Sequence, residues 1–314
     1  MPIPPLFQGR LAVPAIAAPM FLVSGPELVL ATCRAGVAGT FPALNARPAE
    51  QLDDWLDQLN RALGPQDAPY GVNLIVHPSN VRLTADLDRV VVHRVPFVIT
   101  SLGNPAPVVA AVHDYGGLVF SDVIHAKHAQ KALAGGADGI ICVGAGAGGH
   151  AGPQSPFALV REIRQFWDGP LILGGAISDG YGIRAAEALG ADLAYLGTRF
   201  IATRESRAQA GYKEMLVGAT ADDIVYTPAI SGTPANFLWP SLEKAGYTRE
   251  SLREGTAPAH AYGGDEAKAW RDVWSAGHGV SGIRDVPPVA ELVDRLAREY
   301  AQACALPPSP ALKA

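Results

Sequence analysis

The feature that most constrains this chain is a rhythm. Between Leu11 and Ile201, eight short apolar runs alternate with stretches of helical periodicity. The runs fall at 12–18, 36–41, 71–76, 97–101, 117–121, 139–143, 171–173 and 193–196. They are nearly continuous in hydrophobicity, as expected of parallel strands buried on both faces. In the segment 155–167, Leu159, Val160, Ile163 and Phe166 make one apolar stripe, with Arg161, Glu162 and Arg164 elsewhere on the wheel. The stretches 48–63 and 179–189 read the same way. Eight βα units in order predict an α/β chain closed into a (β/α)₈ (TIM) barrel, ahead of an open doubly wound sheet.

The rhythm stops after Arg204, and the 314 residues exceed what a bare barrel of about 250 needs. Residues 206–282 carry helical stretches at 207–216 and 266–275, the latter around Trp270 and Trp274, separated by turn-rich pieces. This predicts a small, mostly helical second domain inserted after strand eight. The stretch 289–303 regains period, with Val289, Leu292, Val293, Leu296 and Tyr300 on one face, and reads as the last barrel helix. The expected division is therefore 1–205 with 283–314 as the barrel and 206–282 as the covering domain. A proline-rich tail from Leu306 is expected to fray.

Ligands of parallel barrels bind at the C-terminal ends of the strands. Those ends here are small or polar: Ala18-Pro19-Met20, Asn73, Thr100-Ser101, Ser121-Asp122, Gly174-Gly175 and Gly197-Thr198. The sixth run leads into IICVGAGAGGHAG (140–152), whose glycines let the backbone take positive φ and approach a ligand closely. The segment delivers His150, an imidazole suited to proton chemistry near neutral pH. Paired glycine loops after strands seven and eight suit a phosphate, while Ser178 or Asp179 can cap the helix that follows. The run GAGAGG (144–149) lies far from the first βα unit and lacks a following acidic partner, which excludes a Rossmann fingerprint.

Composition removes other classes. A net charge of −5 without a Lys/Arg run argues against nucleic acid. No apolar run approaches the roughly 20 residues of a membrane span, and the start MPIPPLFQGR is not a secretory signal. Cys33, Cys142 and Cys304 are far apart, so neither a disulfide framework nor a Cys metal site is expected, and a cytoplasmic setting follows. No His/Asp/Glu cluster has ligand spacing, so no metal is expected.

Taken in order, Ala18-Pro19-Met20, GVNL (71–74), AGGHAG (147–152), LGGAI with DG (173–180), LGTRFIATRES (196–206), ISGTPANFL (230–238) and WSAGHG (274–279) resemble the nitronate monooxygenases, formerly 2-nitropropane dioxygenases. The resemblance implies an FMN-dependent barrel. Ala18, Pro19, Met20 and Asn73 would meet the isoalloxazine, Gly148 and Gly149 would line the cofactor, and Gly174, Gly175, Gly197 and Thr198 would hold its phosphate. His150 matches the family's catalytic histidine, as base for a nitroalkane or as the group that orients a nitronate, and Ser231, Trp274 and His278 would roof the substrate. The implied reaction is oxidative denitrification of an alkyl nitronate with O₂, giving a carbonyl product and nitrite. The alternative on this scaffold is an NAD(P)H-dependent FMN reductase of quinones or enoyl thioesters. Either way the partner is a small molecule, and a homodimer is compatible with the sequence. The chain departs from the family at Gly146 and Ala151, where glutamate and arginine usually flank the AGGH motif, and at His278, usually glutamine. Ser121-Asp122 stands where related quinone reductases carry a lysine. These departures touch the substrate side of the cofactor.

Overall fold

In the computed structural model, which describes residues 3–253 and 273–307, the parallel strands close on themselves. In chain order the strands are β1 (Ala15–Ala17), β2 (Ala38–Pro42), β3 (Tyr70–Ile75), β4 (Phe97–Ser101), β5 (Leu118–Val123), β6 (Gly139–Val143), β7 (Gly149–His150), β8 (Leu171–Gly174), β9 (Leu193–Leu196), β10 (Ile224–Thr227) and β11 (Ala235–Leu238). All but β7, β10 and β11 form the barrel. Closure is made by β1, where Ile16 sits opposite both Ala38 of β2 and Tyr195 of β9. The barrel expected from the sequence is present, and its fourth, sixth and last strands have the expected limits.

Helices α1 (Pro26–Arg34), α2 (Gln51–Ala62), α3 (Leu83–Val92), α4 (Ala106–His113), α5 (Ala126–Ala134), α6 (Pro156–Ile163) and α7 (Gly180–Leu189) connect the barrel strands. After β9 come α8 (Thr198–Ile201), α9 (Ala210–Gly218), α10 (Trp239–Lys244), α11 (Arg249–Arg253) and the closing α12 (Val289–Cys304). The apolar stripes do what periodicity predicts. Leu159, Val160 and Ile163 of α6, Ile183 of α7 and Leu292, Val293 and Leu296 of α12 bury against outward-facing strand residues such as Cys142, Leu171 and Leu173. Phe166 does not belong to that stripe: α6 ends at Ile163, and the Phe166 ring, in the turn beyond, is 39% exposed.

Inside the barrel, side chains stack in layers because alternate strand residues point inward. Phe7 plugs the bottom and packs edge-on against Phe97, 5.4 Å between ring centres, with Phe120 beside it. Gly71 is required there, since a Cβ would lie 2.3 Å from the Phe97 ring. Ile16, Ile99, Ile141, Ile172 and Leu193 belong to the same inner cluster. Two residues further along the strands the interior turns polar, with Asn73, Ser101, Asp122 and Tyr195 bordering the cavity above.

The segment after β9 contains a pattern that its turn-rich sequence does not reveal. Strands β10 and β11 pair antiparallel, and β11 pairs in turn with β7 from the glycine-rich loop. The partner that makes ANFL a strand lies over 80 residues earlier, where local periodicity carries no trace of it. Of the helix expected at 266–275, Trp270 lies outside the described residues, and Trp274 sits in non-helical chain stacked on Tyr212, 5.0 Å between ring centres. Most of the expected frayed tail also lies outside them. No helix among the described residues is long and apolar enough to cross a membrane.

Candidate active site

The glycine-rich loop after β6 is shaped by residues that must lack side chains. Gly146 and Gly149 take φ of +86° and +69°, values that favour glycine. A Cβ on Gly148 would lie 2.8 Å from the backbone nitrogen of Gly277, because the loop is sewn to the 274–279 segment. The carbonyl of Gly146 accepts from the N–H groups of both His278 (2.9 Å) and Ala176 (3.2 Å), and Gly277 N–H donates to Thr198 Oγ1 (2.9 Å). Loops from three parts of the chain are thereby locked together at the barrel mouth.

His150 is the second residue of β7, opposite Ala235 of β11. The Asn236 amide donates to the Ala147 carbonyl (2.7 Å), and the Tyr226 hydroxyl donates to that of Ala151 (3.0 Å), bracing the loop on both sides of the histidine. Burial pushes the His150 pKa down to about 4, so the ring is neutral at neutral pH.

The mouth opens into a cavity of 1590 Å³, above the roughly 300–1,000 Å³ of an ordinary ligand pocket, which leaves room for a cofactor and a second molecule. On its wall lie Ala18, Pro19 and Met20, together with Asn73, Gly148, Gly149 and His150. Gly174, Gly175, Gly197, Thr198 and Trp274 line it as well. Ser231 and His278 do not. Ser231 is buried with its hydroxyl donating to the Thr233 carbonyl (2.9 Å), and Thr233 and Pro234 take the wall position instead. His278 is exposed, its ring beside Gly146, where a Cβ would come within 3.2 Å of Nδ1, and the neighbouring Gly277 and Gly279 line the wall.

The loops after β8 and β9 meet at the wall. Gly175 takes φ +136°, and Ala176 the left-handed +56° that non-glycine residues rarely adopt. The N-terminus of α7 is already occupied: Asp179 accepts from Gly182 N–H (2.7 Å) and Glu299 accepts from Gly180 N–H (2.9 Å). An anion at these loops would therefore meet the backbone of 174–176 and 197–198, not the α7 terminus. Arg199 is structural, with its guanidinium paired to Asp285 at 3.2 Å.

Of the floor residues, sequence reasoning assigned Asn73 to the cofactor but gave Ser101, Asp122 and Tyr195 no role. Asn73 Nδ2 donates to the Ile99 carbonyl (3.2 Å) and to Ser101 Oγ (2.7 Å), and Ser101 Oγ donates to Asp122 Oδ2 (2.6 Å). Among the described residues, Asp122 Oδ1 and the Tyr195 hydroxyl are buried without a hydrogen-bond partner. Two orphaned polar atoms beneath a large cavity suit a flat heteroaromatic ligand carrying polar atoms along its edge, which would satisfy them. The available signal was strand alternation, which puts Asp122 and Tyr195 on the same inward face as Phe120 and Leu193. Among the described residues, no three His, Cys, Asp or Glu side chains gather as metal ligands.

The sequence profile of the nitronate monooxygenase family matches residues 8–299. The chain belongs to that family. A nitronate monooxygenase of Paraburkholderia phytofirmans is 32% identical over 92% of both chains. Among solved structures, the nitroalkane oxidase of Streptomyces ansochromogenes superposes with a TM-score of 0.80 at 26% identity, covering 95% of this chain and 99% of that one. FabK from Thermotoga maritima does so at 0.78 and 27% identity, covering 94% and 95%. This member of the nitronate monooxygenase family is an oxidoreductase built on a TIM barrel.

Proposed function

We propose that this chain binds FMN across its barrel mouth and carries out the oxidative denitrification of alkyl nitronates with O₂, releasing a carbonyl compound and nitrite. The observation that carries the reading is His150, fixed by β7–β11 pairing on the wall of a cavity with room for both flavin and substrate. The orphaned floor atoms and the glycine backbone of the loops after β8 and β9 fit the ring and the phosphate respectively. FMN supplies the electron transfer between nitronate and oxygen.

The chain's own residues handle position and protons. Gly174, Gly175, Gly197 and Thr198 hold the phosphate, while Ala18, Pro19, Met20, Asn73, Gly148 and Gly149 hold the ring. Both Asn73 N–H groups are spent on Ile99 and Ser101, so its carbonyl oxygen is what remains to accept from a ring N–H. His150 is neutral at neutral pH, and a conjugate acid of pKa about 4 makes it a weak base for a C–H bond. Its fitting role is to donate a hydrogen bond that fixes an anionic nitronate over the ring. The substrate's own negative charge then raises the imidazole's proton affinity. Trp274, stacked on Tyr212 and with its backbone N–H donating to Ser241 Oγ (2.7 Å), closes the substrate side.

The test is a visible spectrum of the purified, FMN-reconstituted protein, followed anaerobically with ethyl nitronate and with NADPH in separate cuvettes. Bleaching by the nitronate and not by NADPH is expected, with a loss of about 10²-fold or more in His150→Ala. Bleaching by NADPH alone would make the chain a nicotinamide-dependent reductase. Absence of a flavin spectrum after reconstitution would sink the reading.

A further inference from the structure

The floor of the cavity carries a hydrogen-bond chain whose direction is fixed by chemistry. An amide nitrogen only donates, so Asn73 Nδ2 donates to Ser101 Oγ. The single hydroxyl hydrogen of Ser101 must then go to Asp122 Oδ2, at 2.6 Å. Oδ2 is therefore the accepting oxygen of this carboxyl, and a proton on Asp122 sits on Oδ1. That oxygen is buried and bonded to nothing among the described residues, and Tyr195 does not take it, since its hydroxyl is also without a partner there. We propose that Asp122 is a further cofactor-binding residue: as a neutral carboxylic acid it donates from Oδ1 to an acceptor atom of the flavin ring lying above it. This rests on the flavin reading of the site. A flavin edge offers ring nitrogens and carbonyl oxygens as acceptors, so an ionised carboxylate facing them in a water-poor floor would repel the ring.

The surroundings keep the proton in place. Burial pushes the Asp122 pKa up to about 7, and the Ser101 bond offsets this only in part. Ser101 on β4 and Ile141 on β6 flank it in the sheet, and neither is charged. Across the barrel Tyr195 on β9 stays protonated, held well above its usual range chiefly by burial. His150, and His125 and His128 at α5, line the same cavity. His150 and His128 are both lowered by burial. Arg47, Arg82, Lys131 and Arg207 also line the cavity, but among the described residues no cation pairs with Asp122, and the Ser101 bond is what favours its ionised form.

By linkage, a ligand that needs the protonated form binds more weakly as pH rises through the free-protein pKa, by up to tenfold per pH unit. The experiment is a fluorescence titration of the apoprotein with FMN from pH 5.5 to 8.5, on the wild type and Asp122→Asn. Asparagine keeps a donor and an acceptor but cannot ionise. The expected result is FMN affinity constant below about pH 6.5 and falling more than about tenfold by pH 8.5 in the wild type, with no such fall in D122N. Riboflavin, which lacks the phosphate, should repeat the difference, and the histidines are common to both proteins. A flat wild-type profile, or the same fall in both proteins, overturns the Asp122 assignment while FMN binding itself stands. The wild-type profile alone decides if D122N does not fold. Failure of FMN to bind at every pH overturns the flavin reading and this inference with it.

Discussion

Gly277→Ala tests whether the locked loops, and not the glycine-rich sequence as such, build the site. Gly277 has φ −94°, which alanine adopts freely, so backbone strain is not at issue. The added methyl would sit 2.3 Å from the Gly146 carbonyl oxygen and 2.8 Å from Gly148 N, both backbone atoms that no rotamer change can clear. Something must move by about 1 Å to restore ordinary contact. Overpacking of this kind costs about 1–3 kcal/mol. The movement also pulls on two bonds of 2.9 Å, Gly277 N–H to Thr198 and His278 N–H to Gly146, each worth about 0.5–1.5 kcal/mol. Alanine returns about 0.4–1 kcal/mol by restricting the unfolded chain. The net expectation is a loss of about 2–4 kcal/mol, read by urea unfolding, with weaker FMN binding because Thr198 and Gly148 both shift. Gly218→Ala is the matched control. It closes helix α9, a Cβ there meets nothing within 4 Å, and the change should be neutral or slightly stabilising. If G277A unfolds at the wild-type midpoint with unchanged FMN affinity, the locking argument is wrong.

Two further outcomes follow from charge. Folded His150 protonates near pH 4 against 6.5 when unfolded, so its burial removes stability as pH falls through that window. Asp122 holds its proton to about pH 7 against 3.8 unfolded, so it removes stability as pH rises through nearly the same window. Each effect is on the order of 3 kcal/mol at full extent, and together they should leave the wild-type apoprotein nearly flat between pH 4 and 7. Denaturation across that range should show His150→Gln losing stability towards pH 7 and Asp122→Asn losing it towards pH 4; parallel slopes in all three proteins would refute the assignment. Asp285→Asn leaves the buried Arg199 guanidinium without its carboxylate and also frees Arg295, which Asp285 holds at 2.7 Å. Because Asp285 is half-exposed, we expect about 2–3 kcal/mol, below the about 3–5 of a fully buried pair, visible as a lower Tm. An unchanged Tm would mean water compensates the arginine.

The parts of the fold that were legible share one property: their information is local. Runs such as 97–101, 139–143 and 193–196 are apolar throughout because both faces of each strand are buried, and that leaves a signature in the residues themselves. The stripe on α12 is likewise a matter of spacing. The strand at Ala235–Leu238 was not legible, since its pairing with Gly149–His150 joins residues far apart in sequence. Placement of Ser231 and His278 on the cavity failed for the same reason. Motif order put them near the site, but which way each side chain turns depends on contacts made in space, the His278 ring beside Gly146 and the Ser231–Thr233 bond.

By itself, then, the sequence determined the barrel, the rim where a ligand binds, the glycine loops and the histidine, because strand burial, helix period and backbone freedom are written residue by residue. Only the tertiary structure decided what the cavity floor is made of. Asn73, Ser101 and Asp122 stand on three successive strands and become one directed hydrogen-bond chain only when β3, β4 and β5 come into register. The same closure takes Asp122 out of water. Desolvation depends on what surrounds a group in space, and that is how an ordinary aspartate becomes a carboxyl that keeps its proton.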